Sequence, residues 1–106
     1  MSVIQFNEES FKTQVLENKK LTLVDFWAPW CSYCRRIAPA YDMAAEEFGG
    51  QLSFGKVNID ELPQLEEQYD IEVIPTILLF RDGKPAAKIV APDSMAKLKE
   101  FIKQQL

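Results

Sequence analysis

The sequence predicts an α/β domain spanning residues 1–106, with a central mixed sheet of about five strands flanked by about four helices. Three observations predict it. Strand-like apolar runs alternate with segments of helical periodicity, an order that builds parallel strands through right-handed crossovers. An Asp82-Gly83 pair between two apolar runs marks a closing β-hairpin, which adds antiparallel strands and makes the sheet mixed. Cys31 and Cys34 fall where a strand pattern becomes a helix pattern, a placement that carries chemistry as well as architecture.

Each element has its local reason. Val3-Ile4-Gln5-Phe6 reads as a short strand. Asn7 is a good N-cap, and Glu8 and Glu9 suit a helix's first turn. Phe11, Val15 and Leu16 give that helix an apolar stripe, and it should end near Asn18. Leu21 to Trp27 reads as a buried strand. A long helix should run from about Cys31 to Phe48 with a kink at the internal Pro39, and Gly49-Gly50 should close it. Leu52 to Ile59 is the next strand, followed by a turn through Pro63 and a short helix to Tyr69. Thr76 to Arg81 and Ala86 to Val90 flank the hairpin turn. Met95 to Gln105 is a final amphipathic helix, capped by Asp93 or Ser94, with Met95, Leu98, Phe101 and Ile102 on one face.

Composition narrows the functions available. Apolar residues make up 47% of the chain, an ordinary globular balance that supports one core without staples. Twelve basic against sixteen acidic residues leave a net charge of −4, which provides no footprint for nucleic acid or for anionic lipid. The start MSVIQFNEES has neither the basic nor the apolar region of a signal peptide, and the longest apolar run is too short to span a bilayer. A cytoplasmic location is therefore the expectation. There are no histidines, which excludes Ser-His-Asp and Cys-His catalysis and histidine metal ligands. Two cysteines do not make a Cys-rich structural zinc site, so no metal is expected.

The cysteines are the main candidates for chemistry. If the helix begins at or near Cys31, its sulfur sits beside unpaired N–H groups and the positive end of the helix dipole. A thiolate is stabilised there, so the Cys31 pKa should fall and Cys31 should be the attacking thiol. Cys34 lies one turn further on the same side, about 5–6 Å away at Cβ, and is the expected resolving thiol. A purely structural disulfide is the plainer reading. Closing so short a loop stabilises by only ~2 kcal/mol, which a chain of this size does not need.

Val24-Asp25-Phe26-Trp27-Ala28-Pro29-Trp30-Cys31-x-x-Cys34 resembles the active-site segment of the thioredoxin family, and the element order is similar to the thioredoxin fold. The resemblance covers essentially the whole chain. It implies a monomeric thiol–disulfide oxidoreductase that acts on protein disulfides, is recycled by a thioredoxin reductase, and needs no cofactor beyond the Cys31–Cys34 pair.

The resemblance also assigns roles. Asp25 interrupts an apolar strand; it is either a frayed strand end facing water or a buried carboxylate with a raised pKa. In the family the matching aspartate takes the proton of the second thiol. Lys56 shares a strand face with Leu52 and Phe54. It is either a snorkelling lysine or, as the resemblance implies, a neighbour of the buried aspartate. Pro75 is an ordinary strand-start proline by itself; the resemblance implies a cis peptide facing the cysteines, beside which a substrate segment pairs. Trp27, Trp30, Tyr33 and Ile74 should cluster around Cys31, with Trp27 mainly core and Trp30 and Tyr33 contacting partners. Arg35 and Arg36 read mainly as a solvated helix face.

Three departures stand out. Ser32-Tyr33 replaces the family's Gly-Pro. Cys-x-Tyr-Cys is similar to the glutaredoxin pattern, and a Ser32 hydroxyl donating to the Cys31 thiolate would make the disulfide more oxidising. Val73 and Ala91, the latter followed by Pro92, stand where the family usually has glycine beside the docking groove. The alternatives are therefore a glutaredoxin-like or disulfide-isomerase-like enzyme and a non-catalytic binding module built on the same groove.

Overall fold

The computed structural model describes residues 3–106. Five strands form one sheet in the order β1-β3-β2-β4-β5. They are β1 (Ile4–Gln5), β2 (Thr22–Trp27), β3 (Ser53–Asn58), β4 (Thr76–Arg81) and β5 (Lys84–Val90). β1 and β2 pair parallel with β3, whereas β2–β4 and β4–β5 are antiparallel, so the sheet is mixed as predicted. The helices are α1 (Glu8–Phe11), which runs on into a π-turn, α2 (Ser32–Phe48), α3 (Pro63–Gln68) and α4 (Met95–Gln105).

Strand alternation divides the core into two layers. On one face Val24, Phe26, Val57, Leu78 and Phe80 meet Phe11 of α1, Val15 of the turn after it and Leu65 of α3. On the other, Leu23, Phe54, Ile77 and Leu79 meet Ile37, Tyr41 and Phe48 of α2 and Leu98, Phe101 and Ile102 of α4. β2 is therefore the central strand, apolar on both sides, and the residue at position 25 enters a dry interior.

Local chemistry fixes most boundaries. The Asn7 side chain accepts from the Ser10 N–H (2.7 Å), and the Ser10 hydroxyl accepts from the Asn7 N–H (2.9 Å), a reciprocal cap that starts α1. Ser94 accepts from Lys97 N–H and starts α4. Asp82 and Gly83 have φ of 53° and 77°, the double left-handed turn that a two-residue hairpin loop needs. A Cβ on Gly83 would also collide with the Leu16 carbonyl. Pro85 and Lys88 lie in the edge strand β5, where neither disrupts an inner ladder.

Two elements differ from the sequence expectation, the first helix and the last strand. The first helix changes after Phe11 into a π-turn, Lys12–Leu16, in which Glu17 N–H reaches back to Lys12 C=O. This turn buries Val15 and leaves Leu16 at the surface. Gly49 follows the last residue of α2 as expected, with a right-handed φ of −62°, and the chain turns by donating Gln51 and Leu52 N–H to Phe48 C=O. The last strand begins at Lys84, two residues before the apolar pattern signals it, because cross-strand pairing runs up to the turn. Pro39 lies inside α2 without ending it.

Candidate active site

The site forms where β2 passes into α2. Cys31 is the N-cap of α2, and its Sγ fills the acceptor position normally taken by a serine or asparagine oxygen, receiving the Cys34 N–H at 3.2 Å. Cys31 and Cys34 form a disulfide, with Cα atoms 5.3 Å apart. In the reduced protein the same N–H and the helix dipole favour a thiolate on Cys31. Both cysteines are largely covered, Cys34 more so than Cys31.

Across from Cys31 the Ile74–Pro75 peptide is cis, and the Ile74 carbonyl lies 3.9 Å from Cys31 Sγ. Ala91 stands next to this turn and donates its N–H to Pro75 C=O at 2.8 Å. Its φ of 45° lies in the left-handed region, which explains why glycine suits this position and why an alanine there is strained. Trp30 is 65% exposed, its indole N–H donating to Asp60 at 3.2 Å. Val73 is 54% exposed, and Val90 is exposed as well. Together they leave apolar surface on the rim of the cysteine turn.

Asp25 is 3% exposed. Alternation puts it on the face of Leu23, under α2, whose first turn carries Cys34. Burial pushes its pKa up from 3.8 to about 7, opposed by the positive charge of Lys56. Lys56 is the register partner of Asp25 on β3, and its ammonium lies 5.0 Å from the centre of the Trp27 ring. Lys56 is thus half-buried beside the carboxylate and stacked on an aromatic face. Of the two readings of Asp25, the frayed strand end does not describe its position.

The intervening pair does something the sequence did not suggest. No hydrogen bond joins Ser32 to Cys31 among the described residues; the donor to Cys31 Sγ is the Cys34 N–H. The Tyr33 hydroxyl donates instead to the Pro92 carbonyl at 2.7 Å. Arg35 donates to Pro29 C=O at 2.6 Å, and the Arg36 guanidinium sits 5.9 Å from the Tyr33 ring centre. Trp27 packs against the core while Trp30 faces out.

One buried polar group went unread in the sequence. The Tyr41 hydroxyl is shared between Leu23 C=O (3.0 Å) and Gly55 C=O (2.8 Å), joining α2 to β2 and β3 just before the Asp25–Lys56 pair of the register. Burial above all, and then the Asp25 charge, hold its pKa well above the ordinary phenol value. The one available signal was a tyrosine placed in the apolar stripe of α2, which normally needs a hydrogen-bond partner when buried.

A redox-active dithiol at a helix N-terminus, faced by a cis-proline turn and underlain by a buried carboxylate, defines a thiol–disulfide oxidoreductase. The sequence profile of the family described as Thioredoxin matches residues 2–104. The chain is 44% identical over 105 residues to "Thioredoxin" of Acidithiobacillus ferridurans, covering 99% of this chain and 97% of that one. It is 38% identical over 102 residues to "Thioredoxin 1" of Nostoc sp. (96% and 95% covered). It is 40% identical over 100 residues to "Thioredoxin M-type, chloroplastic" of Spinacia oleracea (94% and 55% covered). The chain belongs to the thioredoxin family, and it is a protein-disulfide oxidoreductase. No described helix is long and apolar enough to cross a membrane.

Proposed function

We propose that the protein reduces disulfides of other proteins through a two-step exchange in which Cys31 attacks and Cys34 resolves. The observation that carries this order is the seat of Cys31 Sγ at the N-cap of α2, where it takes the Cys34 N–H. The Cys31 thiolate attacks one sulfur of the substrate disulfide. A Cys31–substrate bond forms, and the second substrate sulfur leaves as a thiolate and is protonated by water. The Asp25 carboxylate takes the Cys34 proton, with Lys56 favouring its charged form. The Cys34 thiolate then attacks Cys31 Sγ, forming the Cys31–Cys34 disulfide and expelling the remaining substrate sulfur as a thiolate, which takes up the proton held by Asp25. Two electrons have passed to the substrate, so the dithiol suffices as the redox group and no further cofactor is required.

The substrate segment lies along the Ile74–Pro75 turn, with Trp30, Ile74 and Ala91 as its contact residues. A separate disulfide reductase, of the thioredoxin reductase kind, must return the pair to the dithiol. The net charge of −4 fits a monomer working in the cytoplasm as an electron carrier for cell redox balance. The test is a time course of protein-disulfide reduction driven by a small dithiol. The wild type should accelerate the reaction, and Cys31→Ser should return it to the uncatalysed rate. Equal rates for the two proteins would refute the proposal.

A further inference from the structure

We infer that Tyr33 is a latch that holds the Ala91–Pro92 turn onto the first turn of α2, and that this latch sets how tightly a polypeptide segment docks beside Cys31; the inference rests on the disulfide-reducing function proposed for the same site. Three stretches distant in sequence meet at the cysteines, and contacts close them into a ring. Cys31 Sγ faces Ile74 C=O at 3.9 Å. Pro75, the next residue, accepts the Ala91 N–H at 2.8 Å. Pro92, the residue after that, accepts the Tyr33 hydroxyl at 2.7 Å, across 59 positions of sequence. Tyr33 itself lies between Cys31 and Cys34 and completes the circuit.

The first two links are made by the sulfur and the backbone. The third needs a phenol at position 33. Without that hydroxyl the Pro92 carbonyl loses its partner in a half-buried place. The need for a latch is visible in Ala91, whose φ of 45° is a conformation that a residue with a Cβ keeps only when its surroundings hold it. Tyr33 is well seated for the task. Its ring packs against the side chains of both core layers, and the Arg36 guanidinium covers it at 5.9 Å. The same geometry argues that Tyr33 does not tune the Cys31 thiolate directly, because its one proton is committed to Pro92. Its effect should therefore fall on docking, through preorganisation of the groove wall, and leave the chemistry of the sulfur alone.

Tyr33→Phe tests this, since it keeps the ring and removes only the hydroxyl. Two readouts are needed. Amide exchange in the oxidised protein should quicken at Ala91 by about three- to tenfold, the range expected for one lost hydrogen bond, and stay unchanged at Phe101 and Ile102 in α4. In turnover, KM for a protein disulfide such as insulin should rise about three- to tenfold. The value of kcat, and the rate with the small hydroxyethyl disulfide, should hold. Unchanged exchange at Ala91 would overturn the latch. Equal slowing of insulin and the small disulfide would overturn the docking role and assign Tyr33 to thiol tuning. A wild type inactive toward both disulfides would refute the proposed function, while the exchange result would still decide whether the latch exists.

Discussion

Replacing Asp25 by asparagine should stabilise the protein, and the size of the gain should depend on pH. Asp25 is 3% exposed, and one of its carboxylate oxygens, Oδ1, has no hydrogen-bond partner among the described residues. Burial lifts its pKa from 3.8 to about 7. Below pH 3.8 the carboxyl is neutral in both the folded and the unfolded chain and costs nothing extra. Between that pH and about 7 the unfolded chain ionises while the folded one does not, so stability falls as pH rises. The slope is ~1.4 kcal/mol per pH unit, and the accumulated loss at pH 8 is ~4 kcal/mol. Asparagine has a similar shape and no charge, so its variant lacks this slope. Any cost of burying its amide is a constant offset. Urea denaturation of both oxidised proteins at pH 4, 6 and 8 measures the effect. The stability difference between variant and wild type should grow by ~4 kcal/mol in favour of Asp25→Asn between the ends of that range. A difference that stays flat, or that favours the wild type increasingly at pH 8, would refute the claim that a buried carboxylate is being forced to ionise.

The same variant should reduce protein disulfides at least tenfold more slowly near neutral pH, because a positioned base typically contributes about 10²–10⁴. Wild-type turnover should rise as pH passes about 7, where Asp25 becomes able to take a proton. The pH profile of insulin reduction checks both statements. Ala91→Gly should raise the unfolding free energy by ~0.5 kcal/mol, as relief of the left-handed alanine slightly exceeds the added chain entropy; urea denaturation reads it. Tyr41→Phe should cost ~1–3 kcal/mol in the same assay, since it takes a donor from two buried carbonyls.

Elements set by local chemistry were legible in the sequence. Asn7 and Ser94 announce helix starts because their side chains can reach the first-turn N–H groups. Asp82-Gly83 announces a hairpin because both residues tolerate positive φ. The Cys31–Cys34 spacing and the strand-to-helix switch located the site. What escaped depends on contacts between distant segments. The π-turn at Lys12–Leu16 packs against the β4–β5 turn, where Gly83 faces the Leu16 carbonyl, and nothing in the first 20 residues encodes that neighbour. Lys56 could not be placed by alternation alone; register with Asp25 and the Trp27 ring places it. The partner of Tyr33 is a backbone carbonyl, which leaves no trace in the amino-acid letters.

The central claim is that Cys31 attacks and Cys34 resolves, and trapping tests it most directly. Reduced Cys34→Ser and Cys31→Ser variants would each be mixed with a protein disulfide, and the products mapped by peptide mass spectrometry. A lasting mixed disulfide is expected on Cys31 in the Cys34→Ser variant, and little or none on Cys34 in the other. Equal trapping by both variants, or adducts formed mainly through Cys34, would contradict it.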